Sequence, residues 1–124
     1  MKNATSWFSI AATDFDRAKK FYEELYDQEL NVMESDGDKM LMLPGDMENG
    51  GVGGAITQGP GREPSDKGTI VYLNFEGDLQ EVIDRVEPAG GKVTVQKTPI
   101  EPDMGYYAQI IDTEGSIVGL WSEK

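Results

Sequence analysis

The sequence predicts an α+β fold made of two tandem βαβββ modules. One strand-to-helix unit occurs twice, 63 residues apart, and each copy is followed by further strand-like runs. In the first copy Trp7-Phe8-Ser9-Ile10-Ala11-Ala12 leads through Thr13-Asp14-Phe15 into a helical run ending at Tyr26. In the second, Ile70-Val71-Tyr72-Leu73-Asn74-Phe75 leads through Glu76-Gly77-Asp78-Leu79 into another. Laid over each other, Trp7 pairs with Ile70, Ser9 with Tyr72 and Ala11 with Asn74, with a one-residue offset at Gly77. The 124 residues form one domain, with module one over 1–58, a connector over 59–68 and module two over 69–124.

Alternation defines the first strand: Trp7, Ser9 and Ala11 fall on one face, while Phe8, Ile10 and Ala12 fall on the face that packs under a helix. Thr13 or Asp14 caps that helix, whose Phe15, Ala18, Phe21, Tyr22 and Leu25 recur at three- and four-residue steps. Residues 29–34 and 39–43 read as strands joined at Ser35-Asp36-Gly37-Asp38, because Asp-Gly suits a tight hairpin. A weaker strand spans 51–57, where the glycines lower β-propensity. The connector Gly59-Pro60-Gly61-Arg62-Glu63-Pro64 is polar and rich in breakers. In module two Val71, Leu73 and Phe75 form the apolar strand face, leaving Ile70, Tyr72 and Asn74 on the other. The second helix carries Leu79, Val82, Ile83 and Val86 and stops at Pro88 and Gly90-Gly91. Strands follow at 92–96, 106–111 and 116–122, the last two joined by a turn at Asp112-Thr113-Glu114-Gly115.

Composition removes several classes of function. A net charge of −12, from 23 acidic and 11 basic residues, repels phosphate backbones and anionic membranes, so neither nucleic acid nor membrane is an expected partner. The absence of cysteine and histidine excludes thiolate and imidazole metal sites and Ser-His-Asp or Cys-His catalysis. The first residues lack the apolar run of a signal peptide and no stretch reaches membrane-spanning length, which leads to the expectation of a soluble cytoplasmic protein.

Several local motifs carry the resemblance of the chain to a known group. These are Asp14-Phe15-Asp16-Arg17-Ala18 with Phe21-Tyr22, the run Gly90-Gly91-Lys92-Val93, and Met104-Gly105-Tyr106-Tyr107-Ala108 followed by Asp112-Thr113-Glu114-Gly115 and Val118-Gly119-Leu120-Trp121. Their order and spacing resemble the vicinal oxygen chelate superfamily of glyoxalase I, bleomycin-resistance proteins and extradiol dioxygenases. The resemblance implies paired βαβββ modules whose curled mixed sheet surrounds a cleft, and usually a homodimer. Asp27 and Thr113 depart from the family's usual glycine and proline, both at turns. The positions implied for the family's metal ligands hold Trp7, Ile70 and Gly119, so no metal and no other cofactor is expected.

Other candidate sites are weaker. Glu34, Asp36 and Asp38 offer oxygen ligands, but their spacing does not fit a calcium loop, and a solvated hairpin accounts for them. Gly50-Gly51-Val52-Gly53-Gly54 lacks the following helix that a phosphate-binding loop requires. No pair of acids falls on the faces that the resemblance assigns to the cleft.

Those faces carry aromatic and amide groups instead. Trp7, Ser9, Tyr72, Asn74 and Trp121 share the parity of the family's cleft positions, with Met40 or Met42, Met104, Tyr107 and Gln109 as walls or lids. Apolar lining with a few hydrogen-bonding groups is characteristic of small-molecule pockets. The same residues would equally serve to fill the core or bury a dimer interface. Three functions therefore follow. The first is a metal-free module binding a small aromatic or cationic ligand, the second a divergent lyase, isomerase or dioxygenase-like enzyme, and the third a protein-interaction module.

Overall fold

A computed structural model describes residues 1–124 and contains the two modules in the order expected. Module one comprises β1 (Trp7–Ala11), α1 (Phe15–Tyr26), β2 (Val32–Ser35), β3 (Asp38–Met42) and β4 (Gly53–Gln58), with a short 3-10 turn at Met47–Asn49. Module two comprises β5 (Tyr72–Asn74), α2 (Leu79–Val86), β6 (Lys92–Pro99), β7 (Tyr106–Ile111) and β8 (Ile117–Ser122). Each module builds its own four-stranded mixed sheet, ordered β1-β4-β3-β2 and β5-β8-β7-β6. In both, the first and last strands pair in parallel and the others antiparallel. The mixed sheet is thus divided into two, one per module.

The helices form where local chemistry directs. Asp14 caps α1 by accepting from the Arg17 N–H at 3.1 Å, and Asp78 caps α2 by accepting from the Gln80 N–H at 2.8 Å. Asp27 closes α1 in the left-handed conformation at φ 55°, which Asp tolerates better than most residues. The β2–β3 hairpin turns at Asp36 and Gly37, both with positive φ as its tight type I′ turn demands.

Leu30 is buried but lies ahead of β2, which starts only at Val32, and β4 is the more substantial strand despite its glycines. A central position between β1 and β3 overrides the low β-propensity of β4, whose first five residues are buried. Gly54 is required there, since a Cβ would run into the Phe8 ring.

One hydrophobic core crosses both modules. It joins Phe15, Phe21, Tyr22 and Leu25 of α1 to Leu79, Val82, Ile83 and Val86 of α2 and to Ile110, Val118 and Leu120 of the second sheet. Large side chains buried to this extent each stabilise the fold by about 1.5–3 kcal/mol. The opposite face of the first sheet carries Trp7, Ser9 and Met42, and that of the second carries Tyr72, Asn74, Tyr107, Gln109 and Trp121.

Candidate functional site

The open face of the second sheet assembles six of the nine candidate residues. Tyr72 pairs with Gly119 across β5 and β8, and a Cβ at Gly119 would collide with the Tyr72 ring. The glycine lets the ring lie over β8. Gln109, opposite Gly119 on β7, donates from Nε2 to the Tyr72 hydroxyl at 2.8 Å. The Tyr107 ring meets the Tyr72 ring edge-on, with centroids 6.2 Å apart. Trp121 is the strand partner of both Asn74 and Tyr107, and its Nε1 donates to the Met104 carbonyl at 2.9 Å. Tyr72 remains 45% exposed and Met104 59%, so the face is open to solvent.

Trp7, Ser9 and Met42 lie on the first sheet. Ser9 donates from Oγ to Thr57 Oγ1 at 2.9 Å, and Ser9 and Met42 share Ala55 as strand partner. Trp7 lies with Met47 over Gly53, where a Cβ would meet both side chains. The candidates therefore divide between two sheets. Only Trp7 comes to the module boundary, where it lines a groove of about 600 Å³ together with Tyr72 and Asn74. A second groove of about 900 Å³ lies between the modules and includes Asn74, Trp121 and Arg85.

Tyr26, at the end of α1, lines both grooves and was not among the sequence candidates. It sits one helical turn after Tyr22, a spacing that places it towards the inner side of α1. Its ring stacks on Phe75 at 4.7 Å, and burial pushes its pKa far above the ordinary tyrosine value.

Away from both faces, a polar clasp joins the modules. Glu114 accepts from the Thr13 and Asp14 N–H groups at 2.9 and 2.7 Å and from Arg17 Nε at 2.6 Å. Burial by itself would raise its pKa, but these donors outweigh that effect and hold it below the ordinary value. Asp112 accepts from the buried Tyr22 hydroxyl at 2.6 Å and from the Glu114 and Ser116 N–H groups at 2.9 Å. For Asp112 burial dominates and the pKa is raised. The local turn pattern around Asp112 and Glu114 carries no sign of this long-range role.

The residues do not fit the superfamily's metal. Trp7 and Ile70 offer no ligating atom and Gly119 carries the Tyr72 ring, while no three potential His, Cys, Asp or Glu ligands gather anywhere. The chemistry of the second-sheet face is accordingly that of aromatic surfaces and neutral hydrogen-bonding groups.

A family model described as Glyoxalase/Bleomycin resistance protein/Dioxygenase superfamily matches residues 5–120. No curated protein matches the sequence. Among solved structures, a mutant of glyoxalase I from Zea mays aligns over 94% of this chain and 45% of its own, with 21% identity and a TM-score of 0.70. The present chain thus spans about half the length of that enzyme. The fosfomycin resistance protein FosX from Listeria monocytogenes aligns over 98% of this chain and 94% of its own, at 14% identity and a TM-score of 0.66. A glyoxylase/bleomycin resistance protein/dioxygenase domain from Frankia sp. EAN1pec aligns over 100% and 94%, at 18% identity and 0.66. At these identities the likeness is one of fold. No helix is long and apolar enough to cross a membrane.

Proposed function

The chain belongs to the glyoxalase/bleomycin resistance protein/dioxygenase superfamily, and from that premise we propose that it binds a small aromatic cation on the open face of its second sheet, without a metal. The observation that carries this reading is the Tyr72–Gln109 hydrogen bond at 2.8 Å, which fixes a phenol ring beside Tyr107 on a face shared with Trp121. Aromatic faces attract a desolvated cation by about 0.5–2 kcal/mol each. The charge of −12 adds steering towards the protein and disfavours anions.

Gln109 retains its amide oxygen as an acceptor, and Asn74 brings a second carboxamide to the same face. Trp7 reaches Tyr72 and Asn74 within one chain, whereas Ser9 and Met42 join the site when a second copy brings its first sheet over the face. The reading accordingly takes the protein as a cytoplasmic homodimer. Membranes and nucleic acids are not among its partners.

Titration with berberine, a planar aromatic cation, tests the proposal through ligand fluorescence, Trp quenching and a thermal shift. Tyr107→Ala and Gln109→Ala should each weaken binding about three- to tenfold while the fold persists. Absence of any response from wild-type protein would sink the proposal. Stoichiometric Ni, Zn, Fe or Mn in protein purified without a histidine tag would instead favour a metal-dependent enzyme.

A further inference from the structure

We propose that the 600 Å³ groove between the modules is a second binding site, taking an uncharged aromatic molecule whose hydrogen-bond acceptor meets the Tyr26 hydroxyl. This site adjoins the second-sheet face at Tyr72 and Asn74, which belong to both, while Tyr107 and Gln109 do not line the groove. Its size lies within the roughly 300–1,000 Å³ of ordinary small-molecule pockets.

The lining excludes ions. Although the chain contains 34 charged Asp, Glu, Lys and Arg residues, none of them lines this groove. A charged ligand would lose hydration there without gaining a counter-charge. Phe8, Leu43, Val52 and Ile70 supply apolar walls suited to a flat ring.

Tyr26 supplies the specificity. Its hydroxyl makes no hydrogen bond within the chain and is not sealed in the core, so the group is available to a molecule in the groove. It remains protonated throughout the physiological range and acts as a donor. Stacking on Phe75 fixes the ring before any ligand arrives, which reduces the ordering cost of binding. The matching ligand group is a carbonyl, a sulfoxide or a neutral ring nitrogen. Asn74 also lines the groove and can receive a donor from the ligand.

Prodan, a neutral naphthalene bearing a ketone, is a suitable probe because its emission shifts to the blue in apolar surroundings. Wild-type protein should bind it and shift its emission. Tyr26→Phe retains the stacked ring and should weaken binding about five- to tenfold. Val52→Trp should abolish binding by filling the groove. Circular dichroism and thermal melts establish that each variant is folded, and light scattering records its oligomeric state. Failure of wild-type protein to bind prodan, or equal binding by folded Tyr26→Phe and Val52→Trp, would overturn the assignment. Conversion of a wild-type dimer to monomer by Val52→Trp would likewise overturn it, by showing that another copy occupies the groove. Berberine binding reports the first site through Tyr107 and Gln109, neither of which lines the groove.

Discussion

Glu114, in the turn between β7 and β8, holds Arg17 of α1 at 2.6 Å across 97 residues of sequence. The two ends of the contact differ, for the Glu114 side chain is wholly buried while Arg17 is 51% exposed. Most of the value of Glu114 therefore lies in satisfying the Thr13 and Asp14 N–H groups at the entrance to α1. Glu114→Ala should lower stability by about 2–3 kcal/mol, because it leaves those donors without a partner. Arg17→Ala should cost far less, given its exposure to solvent. Urea unfolding of the two variants measures both, and equal losses would contradict this division.

The same carboxylate gives stability a definite dependence on pH. Its folded pKa lies below the ordinary 4.5, so its contribution is present above pH 4.5 and is lost as pH falls through the lower folded value. Asp112 acts in the opposite sense. Its raised folded pKa gives a contribution present below the ordinary 3.8 and lost as pH rises through the folded value. The stability difference between wild type and Glu114→Gln should therefore be largest above pH 5 and shrink on acidification. Asp112→Asn should become relatively more favourable as pH rises. Urea midpoints collected between pH 3 and 7 test both slopes.

Tyr22 should prove difficult to replace despite the conservative size of phenylalanine. Its hydroxyl is buried and donates to Asp112 at 2.6 Å, so Tyr22→Phe removes one of the three donors that sustain a buried carboxylate. A loss of about 1.5–3 kcal/mol is expected, with a further rise in the Asp112 pKa. Thermal unfolding at pH 7 measures the loss, and repeating it with Asp112→Asn already present should reduce the effect.

Periodicity exposed the elements whose partners lie along the chain. The three- and four-residue spacing of Phe15, Ala18, Phe21, Tyr22 and Leu25 marked the buried stripe of α1, and alternation separated Leu73 from Tyr72 and Asn74. The Asp36-Gly37 turn likewise follows from local backbone chemistry. Contacts between modules left no comparable trace. Glu114 reads as an ordinary turn acid, and only the packing of the β7–β8 hairpin against α1 reveals its donors. Strand parity placed the candidate residues on sheet faces, but it could not show that Ser9 and Met42 belong to one sheet while Tyr107 and Gln109 belong to the other. Tyr26 was obscure for a related reason, since its groove is completed by residues of module two.

Gly119 offers the most direct test of how the second-sheet face is built. Its Cβ position is occupied by the Tyr72 ring, and the ring's hydroxyl is in turn held by Gln109. Gly119→Ala should therefore displace Tyr72 and break that hydrogen bond, costing about 1–3 kcal/mol of stability through overpacking. Tyr72→Ala removes the obstacle, so adding Gly119→Ala to that variant should cost much less than adding it to wild type. A double-mutant cycle in urea measures the coupling, with an expected interaction of about 1 kcal/mol or more. Strict additivity would mean that β8 shifts instead of the ring, and that the glycine does not hold the face in the geometry proposed for the cation.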